Sequence, residues 1–275
     1  MSKKLSNQTP ISAREYLAQC YQIPQNLPKL PLEDENFLQH WRKANGFDAI
    51  YLLAKIYDKD FNFDWRNTNA IKIFFAQTLA GKLPVVETFD HEDFSALASF
   101  LSGASEVKKI VDTVNAFTIP AKIRGERHRI ILLNRAPYSN VAAGNFGLAD
   151  EEWLNISHRL RLRHESAHYE TLRLFGGMKN HALDEILADT LGQIAAFGNF
   201  SAARQRIFFG LHGEKCEGRL QFYCQKVLPE ERPKIYQAVD KILDEIENEV
   251  AGISETDILR KIAGRSIADR LENIS

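Results

Sequence analysis

Apolar and polar positions alternate along the chain with spacings that predict mainly helices. In 233–250, Ile235, Val239, Ile242, Ile246 and Val250 form a stripe opposite charged positions, the mark of a helix with one buried face. Comparable patterns predict helices over 202–211, 218–227 and 254–271. In the first half, Phe37, Trp41, Phe47, Ile50, Tyr51, Ala54 and Tyr57 suit helices interrupted near Gly46. Further helices are expected over 68–79, stopped by Gly81, over 90–103 and over 105–117, with a short apolar stretch at 83–86. Pro24, Pro28 and Pro31 predict an extended strap over 23–31, preceded by a loosely held terminus.

The pattern changes at 127–134, a compact run of β-branched residues and leucine bounded by Gly125 and Pro137, which predicts a strand. Residues 138–150 are rich in turn formers and predict a loop. A long helix is then expected over 151–175, with Asp150 as its cap, Glu151 and Glu152 at its positive end and Gly176-Gly177 as its stop. A second helix follows over 181–197, before Gly198. The expectation is an α+β, predominantly helical protein with a small sheet, divided into a mostly helical portion 1–120 and a second portion 121–275.

Composition narrows what such a fold does. Hydrophobic residues make up 44% and charged residues 26%, the balance of an ordinary globular protein. Lys+Arg 35 against Asp+Glu 36 leaves no global field to hold nucleic acid or an anionic membrane, so neither is expected as a partner. The most apolar stretch, 71–80, is too short to span a bilayer and contains Lys72 and Gln77, and the first residues lack a signal-peptide pattern. Cys20, Cys216 and Cys224 are odd in number and lack C-x-x-C spacing, which fits a reducing cytoplasm. Histidine is the departure: of eight, His158, His164, His168 and His181 crowd into one stretch.

Within the long helix stands His164-Glu165-Ser166-Ala167-His168. Histidines four apart project from one helical face, where their imidazoles can converge on one metal ion. The glutamate between them lies slightly around the helix, where it can meet a water rather than the metal. On the next helix Glu185 and Asp189 are also four apart, so one can bind metal while the other supports a ligand. His181 and Asp184 compete for the third-ligand place, and Glu185 is preferred because it comes in helical register with Asp189.

His164-Glu165-x-x-His168 followed by Glu185-x-x-Ala188-Asp189 resembles the gluzincin branch of the zincin metallopeptidases, over residues 160–196. The resemblance implies a zincin-like core and Zn2+ held by His164, His168 and Glu185. It also implies Glu165 as general base and acid, and Asp189 as the group orienting His164. The strand at 127–134 falls where zincins often place an edge strand that pairs with extended peptide. The metzincin pattern is not met, because its third histidine would fall on Leu174.

A zinc site of this kind predicts peptide-bond hydrolysis by a metal-activated water. Its tetrahedral oxyanion needs a further donor, for which His181, His212, Tyr138 and Tyr223 are candidates. The competing readings are a zincin-like binding or regulatory protein without catalysis and a zinc hydrolase of non-peptide amides or esters. The intact Glu165 speaks against the first, since binding alone does not need that base. Arg159, Arg161, Arg163 and Arg173 make the motif helix basic, either for an acidic substrate or as surface salt bridges.

Overall fold

The computed structural model describes residues 9–42, 48–60, 63–104, 108–123, 125–177, 180–213 and 215–274. In chain order the elements are α1 (Ala13–Leu17), α2 (Leu38–Arg42), α3 (Ala49–Tyr57), β1 (Lys72–Thr78), β2 (Gly81–Thr88), α4 (His91–Leu101), β3 (Ala116–Ile123) and β4 (Glu126–Asn134). There follow α5 (Asp150–Phe175), α6 (His181–Phe197), α7 (Ala202–Phe209), β5 (Leu211–His212), β6 (Lys215–Cys216), α8 (Leu220–Tyr223), α9 (Arg232–Val250), α10 (Glu255–Ala263) and α11 (Ile267–Ile274). The class is α+β.

These elements form two units. The first, Pro28–Ala136, is built on a four-stranded sheet of order β1-β2-β4-β3. β1 and β2 form an antiparallel hairpin, β3 and β4 another, and β2 runs parallel to β4 after a crossover through α4. The helix expected over 68–79 is therefore strand β1. Ile73, Phe74, Phe75 and Thr78 favour a pleated, half-buried surface, and pairing with β2 decides between two periods that the apolar run alone leaves open. Gly81, with φ 90°, opens β2 after a two-residue turn rather than stopping a helix; Thr78 Oγ1 donates to its carbonyl oxygen at 2.5 Å. No helix forms over 108–115, and β3 takes the chain from Ala116, while the break expected near Gly46 lies outside the described residues. Asp90 caps α4 by accepting from the Glu92 and Asp93 amides.

Strand β4 matches the run expected at 127–134, but it is not an edge. Ile131–Asn134 hydrogen-bond to β2 on one side and β3 on the other, so the edges of the sheet are β1 and β3. The division between the units falls between Ala136 and Pro137, because pairing with β2 and β3 holds β4 in the first unit.

The second unit joins Pro137–Ser275 to the segment ending at Leu27. α5 and α6 pack along each other, and Leu183, Ile186, Leu187 and Leu191 of α6 are fully buried. Tyr138, Ala143, Trp153, Ile156, Leu160 and Phe208 form a cluster that seats the first half of α5. The α9 stripe is buried at all five predicted positions. The predicted helix over 254–271 is two, α10 and α11, separated after Gly264. The described part of the N-terminal segment is tied down rather than loose: the Ile11 amide donates to the Lys226 carbonyl at 2.9 Å and the Tyr21 amide to the Ala263 carbonyl at 2.9 Å. Among the described residues no helix is long and apolar enough to cross a membrane.

Candidate metal centre

Twenty-six residues of unbroken helix carry the motif. Asp150 lies inside the first turn of α5 with Glu151 and Glu152, where all three favour the positive end; the cap position is Ala149, whose side chain cannot accept, so the expected Asp150 cap is not formed. Gly176, with φ 80°, ends the helix. The α5–α6 crossing is set by a glycine. A Cβ on Gly192 would sit 2.8 Å from the Leu160 carbonyl oxygen, so only glycine allows this approach. One turn earlier α6 carries Asp189, and one turn before that Glu185.

At this crossing the structure brings His164, His168 and Glu185 together. The two Nε2 atoms are 3.0 Å apart, and Glu185 places Oε2 3.5 Å from His164 Nε2 and Oε1 3.7 Å from His168 Nε2. Each imidazole is fixed from behind by its own aspartate: His164 Nδ1 lies 2.8 Å from Asp189 Oδ1, and His168 Nδ1 lies 2.9 Å from Asp184 Oδ2. With its Nδ1–H donating to a carboxylate, a neutral imidazole turns its Nε2 lone pair inward, toward the other ring and the third carboxylate. Two neutral rings so placed would offer a cation three converging acceptors. Ligands each about 2.0–2.1 Å from one zinc ion lie no more than roughly 4.2 Å apart, and all three separations meet that limit. The donor set thus fits a zinc ion held by two imidazoles and a carboxylate.

The surrounding charges point the same way. Burial lowers the His168 imidazole, but Asp184, Glu185 and Glu165 outweigh it and push it up to about 10. A divalent ion held by His164, His168 and Glu185 would displace that proton and answer the same carboxylates. Burial raises the Asp189 carboxyl, yet Arg219 and the hydrogen bonds from His164 and Tyr138 hold it well below the ordinary carboxylate range. Asp189 is wholly buried and accepts from Tyr138, Gln205 (2.5 Å) and Arg219 as well as His164. Arg219 also donates from Nη1 to Glu185 Oε2 at 3.3 Å and lies over the Tyr138 ring.

Glu165 is buried beside these three residues, near enough for its charge to act on His168. Asp184, a competitor for the third-ligand place, instead supports His168 through Nδ1. His181 begins α6, half-buried and lowered first by that burial; it is not among the three convergent donors. His212 lies exposed on β5, where no contact ties it to the cluster among the described residues. The Tyr138 hydroxyl is committed to Asp189 and lies 2.9 Å from His164 Nδ1, behind the ring rather than on its Nε2 side, so it is not placed as an oxyanion donor. Tyr223 lies against Glu185 and Arg219 and is the candidate donor that reaches the Glu185 carboxylate.

The basic residues of α5 serve the fold. Arg163 donates to Glu170 at 2.9 Å and pairs with Glu255, Arg161 donates to the Pro137 carbonyl at 3.0 Å, and Arg173 covers the Tyr169 ring. Sequence reasoning missed Arg219, Gln205 and Tyr21. Arg219 sits at the start of a short helix with no local mark of its partners, 34 and 30 residues away.

Residues 119–262 match the family described as "Family of unknown function (DUF7005)". No curated protein and no solved structure matches the chain.

Proposed function

The chain belongs to the DUF7005 family, and we propose that it is a zinc-dependent metallopeptidase with a zincin-like core. The observation that carries this reading is the convergence of His164 Nε2, His168 Nε2 and the Glu185 carboxylate, each imidazole oriented by an aspartate, with Glu165 on the same helix turn. Zinc bound there supplies a Lewis acid and lowers the pKa of a bound water toward neutrality. The chain's own residues do the rest. Glu165 accepts the proton from the attacking water and passes it to the leaving amine. Asp189 and Asp184 keep both Nε2 lone pairs turned inward. Arg219, paired with Glu185 and Asp189, balances carboxylate charge at the site. A peptide or protein is the proposed substrate, and three free cysteines support a reducing cytoplasm as the compartment.

Metal analysis and a Glu165→Gln variant test the proposal. The native protein is expected to hold one zinc per chain, and the variant to keep that zinc while losing roughly 10²–10⁴ in turnover in a proteome-wide cleavage assay. A native protein that retains no zinc when zinc is offered overturns the reading. Bound zinc with no Glu165-dependent cleavage overturns the peptidase assignment.

A further inference from the structure

His168 is supported through a chain of contacts that ends outside the motif helices. Its Nδ1 lies 2.9 Å from Asp184 Oδ2. The other oxygen, Oδ1, accepts from the Tyr21 hydroxyl at 2.5 Å and from Thr171 Oγ1 at 3.4 Å. Tyr21 is buried, its ring centroid 5.8 Å from that of Phe175 at the end of α5. The arrangement repeats the one behind the other histidine, where the Tyr138 hydroxyl donates to the Asp189 oxygen that faces His164. Two tyrosine–aspartate–histidine chains therefore meet at one point. They differ in the donors around them: Asp189 has Arg219 and Gln205 on its second oxygen, whereas Asp184, 163 residues from Tyr21 in sequence, has Tyr21 and Thr171.

The N-terminal segment is anchored for this task. The Tyr21 amide donates to the Ala263 carbonyl at 2.9 Å, Asn180 Nδ2 donates to the Tyr16 carbonyl at 2.9 Å, and the Tyr16 hydroxyl accepts from the Ala182 amide at 2.9 Å while donating to the Tyr223 carbonyl at 3.1 Å. Tyr16 thus fixes the start of α6, and Tyr21 reaches its first carboxylate.

We propose that Tyr21 is a positioning residue of the metal site, acting through Asp184 to hold the His168 imidazole in the orientation that binds metal. The proposal rests on the reading of His164, His168 and Glu185 as metal ligands. Of the two hydroxyls donated to Asp184 Oδ1, Tyr21 makes the short bond; without it the carboxylate keeps only the 3.4 Å contact from Thr171, and the imidazole it orients is held less firmly. Partners of this kind contribute about 10- to 100-fold to metal affinity. Tyr21, one bond further out than the carboxylate itself, belongs at the lower end.

The experiment uses the full chain and four proteins: wild type, Tyr21→Phe, Asp184→Asn and the double variant. Zinc affinity is read by competition with a chromophoric chelator, and the visible spectrum of the cobalt-substituted protein reports ligand geometry. Tyr21→Phe keeps the ring against Phe175 and removes only the hydroxyl. It is expected to weaken zinc binding about tenfold and to shift the cobalt bands. In the Asp184→Asn background the same change should add nothing, because Tyr21 acts only through that carboxylate. If Tyr21→Phe binds zinc and cobalt as the wild type does, or if its effect persists undiminished in the Asp184→Asn background, the positioning role is overturned while the metal site stands. If the wild type binds neither metal, the ligand reading itself fails.

Discussion

Arg219 is the residue on which the charge balance of the site turns. Its guanidinium bonds to Asp189, which has no exposure to water, and to Glu185, a proposed ligand. Removing it leaves the buried Asp189 carboxylate without its guanidinium partner. Arg219→Met is expected to destabilise the protein by about 3–5 kcal/mol, measured by urea denaturation of the metal-free protein. A loss below the error of the measurement would mean that Tyr138, Gln205 and His164 suffice to hold the Asp189 charge. The residue that titrates most consequentially in the other unit is His128, buried against Phe37 and Tyr57 with Nε2 2.9 Å from the Tyr57 hydroxyl. Burial lowers it to about 4. The unfolded chain, with an ordinary histidine near 6.5, therefore takes up a proton first as the pH falls. Stability from this group is complete above about pH 6.5 and is lost on descending toward pH 4, by roughly 3 kcal/mol in all. His128→Gln should flatten the slope of unfolding free energy over that interval, and an unchanged slope would assign it to other groups.

At the scale of elements, the crossing of α5 and α6 decides whether the proposed ligands from two helices meet. Gly192 permits it, and its hypothetical Cβ meets backbone rather than a side chain that could turn aside. Gly192→Ala should cost about 1–3 kcal/mol by overpacking and weaken zinc binding, because α6 must move away from α5 and carry Glu185 with it. Unchanged zinc affinity in a folded Gly192→Ala protein would show that the helices adjust without moving the ligands. These two helices were legible in the sequence because their signals are local: i,i+4 ligand spacing, an acidic first turn, and Gly176 and Gly198 as stops. β1 was not, because Ile71–Ala80 is apolar without alternation, and its period is settled by pairing with β2. Tyr21 and Arg219 escaped for a related reason. A tyrosine or arginine is marked as part of a site only by its neighbours, and Tyr21 finds Asp184 across 163 residues.

At the scale of the whole molecule, every proposed ligand and its supports come from the unit formed by Pro137–Ser275 and the segment ending at Leu27. Metal removal should therefore be felt there. Stripping zinc with a chelator is expected to raise hydrogen exchange in α5, α6 and the backbone near Tyr21, and to leave the β2 and β4 amides of the first unit as they were. Exchange that rises equally in the sheet would mean that the metal stabilises both units together. That second unit is also discontinuous, with Pro28–Ala136 inserted between its two parts. A ribosome adds about 5–20 residues per second, so Tyr21 emerges on the order of 10–30 s before the Asp184 it will bond, 163 residues later. The sheet unit can form in that interval, whereas the proposed metal site can close only after residues 184 and 185 have followed residue 21, so a chain that stops short of them would carry no such centre.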